Sequence, residues 1–204
     1  MIDLVTLVTL CSLSVDPKLM HALVWQQSGG EPWSFIVPGE REPRVYRKLR
    51  DAVREVRLLN NDGPIRVGLT GLATNAAAAT KTTFLPCPNI AAAAHEINQL
   101  TARCEANPGS KADPTFCAIA AYHGSWERAD TAFARAVRAT FSTNDAPNFD
   151  MPHRLSSHLP RRIPTATSCA SAWTGTMTVR WTNGYRRADT YPPARSRARS
   201  EPSP

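Results

Sequence analysis

The chain has no apolar run long enough to cross a bilayer. Its most apolar opening stretch, Met1 to Leu13, falls short of the roughly 20 residues a span needs. It also lacks the marks of an export signal. Asp3 stands where a positive region would be, and no small-residue cleavage site follows. An amphipathic or buried first helix fits this stretch better. There is no C-x-x-C, and neither His95 nor His123 lies at ligand spacing from a cysteine, so the spacings match no zinc site. No internal repeat is evident. Lysine is missing from residue 151 onward.

What charge there is lies unevenly. The 204 residues carry 24 Lys+Arg and 17 Asp+Glu, a net +7. Residues 1–150 hold 15 of each sign and are neutral; residues 151–204 hold 9 Arg and 2 acids, which is the whole excess. That last part is rich in Pro, Ser, Thr and Arg and ends T-Y-P-P-A-R-S-R-A-R-S-E-P-S-P. Such a composition cannot bury enough apolar surface to offset the entropy of ordering. The expected organisation is one folded domain over 1–145 and a basic, mostly disordered tail over 146–204, with T-M-T-V-R-W-T (Thr176–Thr182) the one strand-like piece. The tail could draw nucleic acid or anionic lipid weakly, or be a solvated end without a specific partner. With a neutral folded part, a nucleic-acid or membrane function is the weakest reading.

Cys11, Cys87, Cys104 and Cys117 lie in the neutral part and Cys169 in the tail. The four could form two disulfides in an oxidising compartment, or remain small buried thiols.

The neutral part reads as mainly helical. Asp16-Pro17 pairs a capping side chain with proline at the first helical position. Leu19, Met20, Leu23 and Val24 then form an apolar face, and Gly29-Gly30 end the helix. Trp33–Val37 and Arg44–Tyr46 flank P-G-E-R-E-P, a hairpin pattern. Leu49–Leu59 has helical spacing, and Ile65–Leu69 reads as a short strand. Asn89 is expected to cap a long helix with Ile90, Ala93, Ala94, Ile97, Leu100, Thr101 and Cys104 on one stripe. Asp113-Pro114 starts another helix, and Glu127–Phe141 forms the last. The fold class expected is mainly α, an α+β domain with a small hairpin.

Five segments, in order, carry a resemblance. They are C-S-L-S-V-D-P-K-L-M (Cys11–Met20), Q-S-G-G-E-P-W (Gln27–Trp33), R-V-G-L-T-G-L (Arg66–Leu72), P-C-P-N-I (Pro86–Ile90) and A-I-A-A-Y-H-G-S-W (Ala118–Trp126). Together they resemble the VirB-type lytic transglycosylases of type IV secretion and conjugation, in the lysozyme-like superfamily. The resemblance spans about residues 1–141 and implies a lysozyme-like fold. It also implies a periplasmic location, peptidoglycan strands as substrate, secretion or conjugation proteins as partners, and no specific nucleic acid. The implied chemistry cuts the β-1,4 link between N-acetylmuramic acid and N-acetylglucosamine, and the 6-hydroxyl of the former closes to a 1,6-anhydro product. One glutamic acid, held neutral in an apolar pocket, donates the proton; neither metal nor cofactor is needed.

Two positions depart from the pattern. The acid falls on Gln27, whose amide has no usable proton to give, and the substrate-contacting glutamine falls on Gly71. Glu31 is the nearest carboxyl and the substitute acid, or else a solvated loop residue. Tyr122 would stand beside the acid, or else be a core tyrosine. The resemblance places Gln27, Ser28, Trp33, Gly68, Leu69, His123 and Gly124 along the substrate path. Trp33 and Trp126 could stack on sugars or simply pack, Gly124 lets the chain turn closely, and Trp25 reads as core. Two functions follow: a transglycosylase using Glu31, or a non-catalytic relative that binds glycan or scaffolds the secretion apparatus.

Overall fold

The computed structural model describes residues 3–12, 14–40, 42–59, 63–107 and 113–143. The tail expected over 146–204, with its strand-like run, lies outside the described residues.

The starts of the first two helices each follow from a local aspartate. In α1 (Leu4–Cys11) the Thr6 amide donates to Asp3 Oδ1 at 2.9 Å, and Leu4, Leu7, Val8 and Cys11 are buried. In α2 (Pro17–Ser28) the Lys18 amide donates to Asp16 Oδ1 at 2.8 Å, and Pro17 fills the first turn. Gly29 ends α2 at φ 60°, a left-handed conformation that glycine adopts at little cost. This is the expected start and stop.

The sheet is larger than the sequence pattern indicates. β1 (Ser34–Ile36) and β2 (Arg44–Val45) form the expected hairpin. β3 (Pro64–Val67) pairs antiparallel with β1 and with β4 (Leu72–Asn75), giving the order β2-β1-β3-β4. β4 has no alternating pattern to betray it, because Leu72, Ala73 and Thr74 are all half-buried. Between β2 and β3 runs α3 (Leu49–Leu58), which buries Ala52, Val53 and Val56.

After β4 come a 3-10 turn (Ala76–Ala78), α4 (Lys81–Phe84), α5 (Pro86–Glu105), α6 (Pro114–His123) and α7 (Thr131–Thr143). The described residues thus form a mainly helical fold with a small antiparallel sheet, the expected class. α5 packs on α1 and α6, and α2 packs on α1 and α7. Ile90, Ile97, Ile119 and Val137 are fully or nearly fully buried where these helices meet.

Two helix starts differ from expectation. α5 begins at Pro86 after Leu85, so Asn89 sits inside its first turns with its side chain turned to other work. α7 begins at Thr131 rather than Glu127, because residues 125–128 close their own turn: Ser125 N–H reaches Arg128 O and Arg128 N–H reaches Ser125 Oγ. Asp130 then accepts from the Phe133 amide at 2.9 Å. The open question of the thiols closes as two disulfides. Cys11–Cys87 ties α1 to the start of α5, and Cys104–Cys117 ties the end of α5 to α6.

Candidate functional site

The end of α2 and the β3–β4 turn are locked together. Ser28 Oγ lies 2.9 Å from Leu69 O and 3.1 Å from Val24 O, its one proton shared between them. The turn itself is built on Asn89. Its Oδ1 accepts from the Thr70 amide (2.9 Å) and the Thr70 hydroxyl (2.8 Å), while its Nδ2 donates to Val67 O (3.0 Å) and Thr83 O (2.9 Å). Asn89 is fully buried and fully satisfied. Gly68 is required beside it: φ is +73°, and a Cβ there would meet Asn89 Nδ2 at 2.6 Å.

Gln27 lies across this turn. A Cβ added at Gly71 would fall 2.3–2.5 Å from the Gln27 side chain, so the glutamine rests directly on the Gly71 backbone. Gln27 and Gly71 therefore form one packing event, in which the side chain of residue 27 takes the space that a side chain at 71 would need. Gln27 Oε1 is buried and has no hydrogen-bond partner among the described residues.

Behind Gly71 stands a half-buried cation. Arg66 Nη1 donates to Gly71 O at 3.1 Å and Nη2 to Tyr122 O at 3.0 Å; Nη2 also reaches His123 O. One guanidinium thus joins the β3–β4 turn to the C-terminal end of α6. Burial lowers the Arg66 pKa, opposed by Tyr122, Glu96 and Asp130. Glu96 on α5 is the carboxyl, among the described residues, that burial pushes up; Arg66 pulls it back. Tyr122 is buried, its phenol donates to Thr70 O at 3.0 Å, and burial raises its pKa far enough to keep it neutral. His123 stacks on Phe133 with ring centroids 3.8 Å apart and places Nδ1 2.9 Å from Asp130 Oδ2. Burial, then Arg66, lowers its pKa, against the pull of Asp130.

The structure therefore gathers Gln27, Ser28, Gly68, Leu69 and Tyr122 around one turn, with His123 joined through Arg66. Leu69 and Trp33 are buried in the core, at 0% and 5% exposure, and their side chains offer no face to a sugar. Gly124 makes the close turn expected of it: a Cβ there would meet Arg128 O at 2.1 Å. Trp126 is half-buried beneath the Arg103 guanidinium, 3.9 Å from the ring centre. Glu31 stands apart. Its amide donates to Ser28 O at 3.1 Å and its carbonyl receives Ser34 Oγ at 2.9 Å, so the turn is fixed, but the side chain is exposed. Among the described residues no apolar pocket encloses that carboxyl.

The sequence reading passed over Arg66, Glu96 and Asp130. Arg66 was legible as a lone cation inside an apolar strand, I-R-V, a position that calls for carbonyl partners. Glu96 and Asp130 carry no such local signal. Among the described residues no group of His, Cys, Asp and Glu could hold a metal ion, and no helix is long and apolar enough to cross a membrane. Comparison with known proteins found no matching family model, no matching curated protein and no matching solved structure.

Proposed function

We propose that this chain is a lysozyme-like, peptidoglycan-directed protein of the kind that serves type IV secretion or conjugation, and that it holds glycan strands without cutting them. The observation that carries this reading is the state of residue 27. The position from which the related enzymes donate a proton bears an amide, folded down onto Gly71 with its oxygen buried. An amide cannot act as general acid, and the β3–β4 turn is fitted to it. The two disulfides suit an oxidising compartment such as the periplasm. Glycan strands and secretion or conjugation proteins are the partners this reading names.

A second reading keeps the lytic transglycosylase, cleaving the bond between N-acetylmuramic acid and N-acetylglucosamine through Glu31; Tyr122, buried with its phenol given to Thr70 O, would brace the turn rather than stand beside the sugar. What favours it is the fixed turn that holds Glu31 just past the end of α2. Against it, an exposed carboxylate lacks the desolvation that keeps a proton available near neutral pH.

Purified protein incubated with peptidoglycan sacculi separates the two. Binding without 1,6-anhydromuropeptides in the soluble fraction is the expected result. Product that vanishes in Glu31→Gln supports the second reading, and neither binding nor product refutes both.

A further inference from the structure

A second surface, independent of the α2 end, carries its own chemistry. Arg50, Arg54 and Arg57 recur on α3 at helical spacing, and with Lys81 at the start of α4 they line a groove of about 280 Å³. Val53, 5% exposed, lines it between them, and Leu58 stands open beside it at 71% exposure. The acids nearby neutralise little of this. Arg50–Asp51, Arg54–Asp51 and Arg54–Glu55 are loose, exposed pairs at 3.6–3.7 Å, of a kind worth about 0–1 kcal/mol. Arg57 and Lys81 form no ion pair among the described residues. Cations gathered round an apolar slot repel one another, a cost that a bound anion removes.

We propose that this groove docks an acidic peptide segment bearing an apolar side chain. The carboxylates would meet Arg50, Arg54, Arg57 and Lys81, and the apolar side chain would enter between Val53 and Leu58. The slot, of about 280 Å³, stands at the lower end of the range of pockets for whole ligands, about 300–1,000 Å³, and has room for an inserted apolar side chain. It holds no aromatic ring on which a base could stack, and it is concave where a lipid surface is flat. The chain's own last quarter is excluded as occupant by sign, since residues 151–204 carry 9 Arg and 2 acids.

The test uses the full chain and a fluorescein-labelled peptide of glutamates flanking one central leucine, read by fluorescence anisotropy. A peptide with glycine for the leucine, anionic phospholipid vesicles and single-stranded oligothymidine serve as comparators. Saturable binding to the leucine peptide is expected, weakened by added salt. A loss of about tenfold or more is expected in Arg57→Glu/Lys81→Glu. Leu58→Ser, which leaves every charge in place, should lower affinity for the leucine peptide towards that of the glycine peptide. Circular dichroism melts establish that the variants fold. The proposal is overturned if the leucine peptide does not bind. It is equally overturned if binding is unchanged in both variants, which would assign it to the basic end of the chain, or if vesicles or oligothymidine bind more tightly through the same residues.

Discussion

At the scale of single residues, Asn89 decides the site more than any acid does. Its amide ties Val67, Thr70 and Thr83 together in a fully buried position. Asn89→Ala would leave the Thr70 amide and two carbonyls without partners, so a loss of about 3 kcal/mol or more is expected in denaturant unfolding. Gly71→Gln should also destabilise, because its side chain would occupy the space of Gln27 at a backbone φ of +61°. His123 contributes a pH dependence of definite sign. Its folded pKa lies below the ordinary 6.5, so the unfolded chain binds the proton more readily. The stability this confers is complete above pH 6.5 and is lost as pH falls through the lower folded value. Thermal melts should show that slope, and His123→Gln should flatten it. Glu96 acts oppositely: its raised folded pKa confers stability below 4.5 that is lost as pH rises through the folded value. Glu96→Gln should therefore raise the melting temperature near neutral pH relative to the parent.

At the scale of elements, the disulfides and the helix ends carry the argument. Cys11–Cys87 closes a separation of 76 residues and Cys104–Cys117 one of 13. On the chain-entropy model, replacing the first pair by serine should cost about 4 kcal/mol and the second about 3 kcal/mol, read from denaturant midpoints. α2 and α6 were legible because Asp16-Pro17 and Asp113-Pro114 write a start in four residues' worth of local chemistry. α3 and the long stripe of α5 were legible because their apolar positions recur at helical spacing. β4 was not, because a half-buried edge strand has no period to read. Asn89 was misread because capping and loop-locking ask for the same side chain. Only the tertiary position of Thr70, 19 residues earlier, distinguishes them.

At the scale of the whole molecule, the mainly helical class with its small sheet was legible in the sequence, and the proposed function rests on the state of residue 27. Gln27 and Gly71 were both visible in the sequence as departures from the pattern it resembles. That they are a single fitted contact was not, since 44 residues of chain separate them. α3 and Lys81 gather four cations against Asp51 and Glu55, a local excess that the neutral sum over residues 1–150 conceals. The central claim of the proposed function is that the amide at residue 27 withholds the proton. Gln27→Glu is nearly isosteric and would set a carboxyl against Gly71, where burial of its oxygen favours the protonated form. The direct measurement is mass spectrometry of the muropeptides released from sacculi by parent and variant side by side. The account predicts no 1,6-anhydro product from the parent and measurable product from Gln27→Glu. Product from the parent, or a folded Gln27→Glu that binds sacculi and releases none, would contradict it.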